Sequence, residues 1–248
     1  MFIPTVEIDK RLPSDNRIVL DVGGCGDQFD TLHPSVTHIL DINPHEPPSG
    51  LNLKLISGDG ADLATWDRIA KDVDFCICSH TLEDCLDPFA MLRNMSKHCK
   101  QGYIEFPSIA QEVLPQNSLY GSAHHNFFIK ILPRADALKF EFTASTRPRE
   151  EIEKDGSAYI LVCLPKNLAF ADGIRGYKYK IPPFPRRLLR RKFWRRPYII
   201  KGDNSWTGIF WNRKIDGILV NTFTIPNYKK TLQELCLSSA SDPYVFEC

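Results

Sequence analysis

Three acidic residues stand at or just beyond the ends of short apolar runs. Asp21 closes Ile18-Val19-Leu20, Asp41 closes Val36-Thr37-His38-Ile39-Leu40, and Asp59 follows Leu55-Ile56-Ser57-Gly58. A carboxylate at the mouth of a buried strand is costly to desolvate unless a cation or a hydrogen-bond donor meets it. Gly23, Gly24 and Gly26 come directly after Asp21; they let the backbone pass close to a bound molecule and present N–H groups near the start of the next helix. Asp41 lies about twenty residues further on, the spacing at which an acid bonds a ribose hydroxyl in nucleotide-binding α/β proteins. Two further groups could handle protons. Glu105 ends the run Tyr103-Ile104 and could orient an acceptor hydroxyl, act as a base, or simply be held by backbone N–H groups. In the cluster Gly121-Ser122-Ala123-His124-His125-Asn126-Phe127-Phe128-Ile129, a neutral imidazole titrating near pH 6.5 could take the proton of a hydroxyl. The plainer alternative has one histidine packed and the other in water.

These residues need strands that deliver them to one edge. The segments around residues 18, 36 and 55, with Val73-Asp74-Phe75-Cys76-Ile77-Cys78-Ser79, read as buried strands alternating with helices. That pattern implies an α/β fold with a mostly parallel central sheet and helices on both faces. Strand ends sharing one edge share one crevice. The expected organisation is a single domain over 1–248, with a ligand-binding core at 15–108 and a substrate or lid region at 109–205. Trp206-Thr207-Gly208-Ile209-Phe210-Trp211 and Ile215-Asp216-Gly217-Ile218-Leu219-Val220 flank Asn212-Arg213-Lys214, which predicts an antiparallel C-terminal hairpin over 206–225. Leu138-Lys139-Phe140-Glu141-Phe142 also reads as strand.

In their order along the chain, these motifs resemble the class I S-adenosylmethionine-dependent methyltransferases, in particular the type 11 branch, over roughly residues 15 to 130. In that family a strand ending in D-x-G-x-G holds the methionine part of the cofactor, the acid after the second strand holds the ribose, and an Asp-small pair after the third contacts adenine. The fourth strand runs into S-H-x-L-E-H, then D-P, K-x-G and E-x-P-S. This chain has Ser79-His80-Thr81-Leu82-Glu83-Asp84, Asp87-Pro88, Lys100-Gln101-Gly102 and Glu105-Phe106-Pro107-Ser108. The resemblance implies a Rossmann-like methyltransferase fold, S-adenosyl-L-methionine as cofactor, and a cofactor site made of Asp21, Gly23, Gly24, Cys25, Asp41, Ile42, Asp59, Gly60, Ser79, His80 and Leu82. His124, His125 and Glu105 are the catalytic candidates, with no metal. Two departures stand out: the glycines fall at 23, 24 and 26, and Asp84 replaces the usual histidine. Enzymes that methylate planar nitrogens often carry [DN]-P-P-[FY] after the fourth strand. Cys78-Ser79-His80-Thr81 here favours an oxygen acceptor on a small molecule, glycan or lipid. A nicotinamide or flavin dinucleotide enzyme is the alternative for the glycine loop, but its G-x-G-x-x-G spacing is absent and Asp21 suits an ammonium better than a diphosphate. A non-catalytic binding protein on the same scaffold is the other alternative.

The bulk properties fit a soluble enzyme. The 248 residues are 43% hydrophobic and 25% charged with a net charge of +1. Neither a signal-peptide pattern nor an apolar run of about 18 residues is present, so a cytoplasmic location is expected. The eight cysteines form no paired C-x-x-C sets and read as buried thiols, Cys76 and Cys78 on one face of a strand. Charge is unevenly spread. Between Asp172 and Lys214 there are thirteen Lys or Arg against two Asp, and Arg186 to Arg196 holds seven basic residues among four large apolar ones. Such asymmetry points to an anionic partner: a phosphorylated or carboxylated substrate, an acidic membrane surface, or RNA. A solvated helix whose arginines snorkel outward is the alternative.

Overall fold

The computed structural model describes residues 5–12, 17–24, 29, 32–47, 49–69, 72–108, 125–154, 158–165, 206–221, 224–225 and 245–247. Its first half alternates strand and helix: α1 (Thr5–Asp9), β1 (Val19–Val22), β2 (His38–Asp41), β3 (Lys54–Ser57), α2 (Leu63–Trp66), β4 (Phe75–Ser79), α3 (Pro88–His98) and β5 (Gln101–Pro107). There follow β6 (Phe127–Pro133), α4 (Arg134–Ala137), β7 (Phe142–Ser145), α5 (Arg149–Lys154), β8 (Tyr159–Pro165), β9 (Trp206–Asn212), β10 (Asp216–Val220) and β11 (Val245–Glu247).

Seven strands form the central sheet in the order β11-β9-β5-β4-β1-β2-β3. Every pairing in it is parallel except β5 with β9. The chain runs outward from β1 through β2 to β3, then returns to place β4 on the other side of β1. Between β1 and β4 lies the topological switch point, where the carboxyl ends of the strands open a crevice. The fold is Rossmann-like, as the sequence predicts.

Both faces of this sheet are covered, which is why its strands read as apolar runs rather than alternations. Leu20, Val22, Leu40, Cys76, Cys78, Ile104 and Phe106 pack toward Trp66 of α2 and toward Leu92 and Met95 of α3. The alternate residues Val19, Ile39, Phe75, Ile77 and Tyr103 pack with Ile8 of α1 and Phe210 of β9. The same parity puts Asp21, Asp41, Ser79 and Glu105 together on the second face, at the carboxyl edge.

A second sheet, ordered β6-β8-β10-β7, stands beside the first. In β8, Leu161 and Cys163 join the core of the central sheet. Ile160, Val162 and Leu164 face the opposite way, toward Ala137 and Ile152. Helix α3 packs against β10, where Gly217 leaves room for Leu92 and Phe89.

The predicted hairpin over 206–225 does not form. Both strands exist, but β9 is flanked by β5 on one edge and β11 on the other, so no edge remains for β10. Instead β10 joins the second sheet between β8 and β7. Asp216, fully buried, is met there by Arg147, whose Nε and Nη2 donate at 2.8 and 2.9 Å. The strand expected at 138–142 is also displaced. Leu138 caps α4, and β7 begins at Phe142. Among the described residues no helix is long and apolar enough to cross a membrane.

Candidate functional site

The turn after β1 forms one wall of the crevice. Gly23 has φ +77°, and a Cβ there would run into the Thr81 side chain from the turn after β4. Its N–H donates to Leu40 O at 2.7 Å, which fixes the turn against β2. Thr81 Oγ1 donates to Ser79 O at 3.1 Å and reaches Val22 O at 3.3 Å. The two turns flanking the switch point are therefore in direct contact. Asp21 is 5% exposed, and no hydrogen bond reaches its carboxylate among the described residues. Burial, reinforced by Asp41, pushes its pKa up to about 7.

Asp41 and Asp59 shape the turns that follow β2 and β3. Each accepts from a main-chain N–H two residues on: Asn43 at 2.7 Å and Ala61 at 2.8 Å. Ile42 is 63% exposed at the same edge. Gly60 lies against Met91, and its carbonyl accepts from Trp66 Nε1 at 2.7 Å and Asn94 Nδ2 at 3.1 Å. Side chains of α2 and α3 thus hold the β3 turn in place.

A buried polar cluster occupies the ends of β4 and β5. Glu105, 2% exposed, accepts from Ser79 Oγ at 3.1 Å and from Tyr103 Oη at 2.9 Å. His80 Nε2 lies 3.3 Å from Glu105 Oε1, and its Nδ1 lies 3.5 Å from Glu83 Oε1. Glu83 is 1% exposed, and its carboxylate accepts no hydrogen bond among the described residues. Burial alone would drive the His80 imidazole toward its neutral form, but Glu105 and Glu83 outweigh it and raise the pKa to about 9. His80 is an imidazolium at neutral pH. Its backbone is left-handed, φ 55°, a conformation that non-glycine residues adopt at a cost and that clusters at functional sites. Burial and then Glu105 keep Tyr103 protonated.

His125, two residues before β6, approaches the turn after β4, where its Nε2 is 3.8 Å from Asp84 Oδ1. Of the sequence-predicted residues, Asp21, Gly23, Gly24, Asp41, Ile42, Asp59, Gly60, Ser79 and His80 lie at the carboxyl edge of β1 to β4. Leu82 instead has no exposure and belongs to the core beneath the turn. Cys25, His124 and the basic segment 186–196 lie outside the described residues. Glu83 and Tyr103 also belong to this cluster, although the sequence pattern assigns neither a role. Tyr103 was legible as the residue two before Glu105, on the same strand face. Glu83 stood in the Leu82-Glu83 motif, but nothing in the sequence marked it as buried. The thiols of Cys76, Cys78, Cys99 and Cys163 are free and buried.

No protein-family model and no curated protein matches the chain. Solved structures do. An S-adenosylmethionine-dependent methyltransferase from Archaeoglobus fulgidus is 22% identical with a TM-score of 0.34, over 55% of this chain and 75% of that one. One from Clostridium acetobutylicum is 18% identical with a TM-score of 0.32, over 46% and 49%. One from Mesorhizobium loti is 13% identical with a TM-score of 0.33, over 44% and 56%. The match spans about half of the Clostridium and Mesorhizobium chains and 31% of a mitomycin 7-O-methyltransferase.

Proposed function

We propose that this chain is an S-adenosylmethionine-dependent methyltransferase acting on an oxygen of a small-molecule, glycan or lipid-like acceptor. The observation that carries the reading is Asp21, a carboxylate 5% exposed with no donor to meet it among the described residues, at the switch point of a Rossmann-like sheet. A cationic amino group beside it would replace the water it has lost. The residues present fit the methionine end of the cofactor: Asp21 for its ammonium, with Gly23 and Gly24 giving backbone room. Asp41 would hold ribose hydroxyls, and Ile42, Asp59 and Gly60 the adenine. When bound, the cofactor supplies a methyl group on a sulfonium, an electrophile already activated for direct displacement.

The protein's own contribution is placement and proton handling. Proximity and alignment can supply much of the acceleration of such a transfer. Both Glu105 oxygens accept from Ser79 and Tyr103, so Glu105 serves as an anchor for the β4 turn. His125, 11% exposed beside Asp84, is the other described candidate for taking the acceptor's proton. The cation-rich segment 186–196 would draw an anionic acceptor or surface, with binding that weakens steeply as salt rises. Titration calorimetry with S-adenosylhomocysteine tests the core of the proposal. Micromolar binding that weakens at least about tenfold in Asp21→Asn is expected, since a charge-assisted contact is lost. Binding of neither S-adenosylmethionine nor its product would leave the scaffold reading, and binding of NAD or FAD the dinucleotide one.

A further inference from the structure

Asp21 and Asp41 close adjacent parallel strands on one face of the sheet. Asp21 is in register with Ile39, so Asp41 stands two positions further toward the crevice. Asp41 is half-buried and accepts from the Asn43 N–H at 2.7 Å. Asp21 is buried and accepts no hydrogen bond among the described residues. The Gly23 N–H is spent on Leu40 O, and Gly24 lies against the carboxylate, since a Cβ there would come 3.2 Å from Asp21 Cγ. Strand β4, paired with β1 on its other side, brings the thiols of Cys76 and Cys78 close by, and burial keeps both protonated. The imidazolium of the crevice, His80, stands between Glu83 and Glu105 instead. Among the described residues, the charge that acts on Asp21 is therefore another carboxylate, Asp41.

We propose that Asp21 exchanges a proton for the ammonium group of the ligand, so that binding releases a proton and the site selects for a ligand that carries this cation. This rests on the methyltransferase reading above. In the ligand-free protein a buried acid beside a second acid is held most cheaply as the neutral carboxyl. An ammonium placed against it reverses that preference. The exchange balances in atoms and charge. The Asp21 O–H bond breaks, the proton leaves to solvent, and the carboxylate pairs with an ammonium that keeps all of its own protons. Two consequences follow from this competition. Affinity for the charged ligand climbs with pH as the competing proton becomes scarce. A nucleoside thioether without the amino-acid tail, such as 5′-methylthioadenosine, offers Asp21 no cation and leaves its proton in place.

The test is titration calorimetry with S-adenosylhomocysteine at pH 6 and pH 8, each in two buffers of different ionisation enthalpy, which counts the protons released per ligand bound. For an acid that titrates near 7, affinity should rise about tenfold from pH 6 to pH 8, with close to one proton released at pH 6 and about a tenth of one at pH 8. 5′-Methylthioadenosine should release none at either pH. Asp21→Asn should bind S-adenosylhomocysteine equally at both pH values and release no proton. Asp41→Asn keeps Asp21 but removes the charge beside it, so it should release less at pH 6 than the wild type. Binding of S-adenosylhomocysteine without proton release at pH 6, or release that persists in Asp21→Asn, overturns the exchange and leaves the cofactor reading standing. Failure of every S-adenosyl ligand to bind overturns that reading, and the exchange with it.

Discussion

At Asp21, ligand binding and fold stability pull in opposite directions. Its pKa of about 7, raised by burial and by Asp41, means that the folded state holds a proton which the unfolded chain gives up near pH 4. Stability contributed by this site therefore falls as pH rises from about 4 to 7, and is fully lost above that. Asp21→Asn should raise the unfolding free energy of the ligand-free protein at pH 8 by roughly 2 to 4 kcal/mol while weakening its affinity for S-adenosylhomocysteine at least about tenfold. Urea denaturation at pH 5 and pH 8 checks this, because the gain should shrink at the lower pH. His80 carries a linkage of the same sign in a higher pH window. Raised to about 9 by Glu105 and Glu83 against the pull of burial, its contribution is fully present below about pH 6.5 and is lost as pH rises through 9. His80→Gln should cost roughly 2 to 3 kcal/mol at pH 7, leaving two buried carboxylates without their cation, and the gap to wild type should close by pH 10. A constant gap across that range would show that His80 acts through packing rather than charge.

The elements around the crevice are held by contacts that only some sequence signals announce. Strands β1, β2 and β4 were legible because parallel strands covered on both faces appear as unbroken apolar runs, and the acids closing them marked the functional edge. The glycine turn was legible too. Gly23 at φ +77°, against the Thr81 side chain, explains why a residue with no Cβ follows Val22. Gly23→Ala should cost about 1 to 3 kcal/mol and lower cofactor affinity along with it, read from the urea midpoint and from calorimetry. The tie between the start of β6 and the β4 turn was not legible. Nothing in the spacing of Asn126 and Glu83 predicts that their backbones meet, since Asp84 and Asn126 stand 42 positions apart with a whole helix and strand between them. Asn126→Ala, which removes the Nδ2 donation to Asp84 O, should speed hydrogen exchange at Phe127 while leaving the amides of β1 and β4 protected.

Over the whole molecule, the sequence reading recovered the central sheet and missed the second one. The reason is physical: a strand's own pattern fixes that it is a strand, whereas its partner depends on which edges the rest of the chain leaves open. β9 and β10 have the pattern of a hairpin, yet β5 and β11 take both edges of β9. The acid that draws β10 elsewhere, Asp216, finds its arginine 69 residues away. Strand β10 also joins the second sheet to the core, because it packs on α3, whose Leu92 and Met95 share one cluster with Leu20 and Ile104 of the central sheet and Leu161 of β8. With no seam between the sheets, they should unfold as one unit. Asp216→Ala strands a largely buried guanidinium and should cost about 3 to 5 kcal/mol, lowering a single calorimetric transition without splitting it. A second, lower transition in the variant, with S-adenosylhomocysteine still bound to the remainder, would mean that the second sheet folds independently of the crevice.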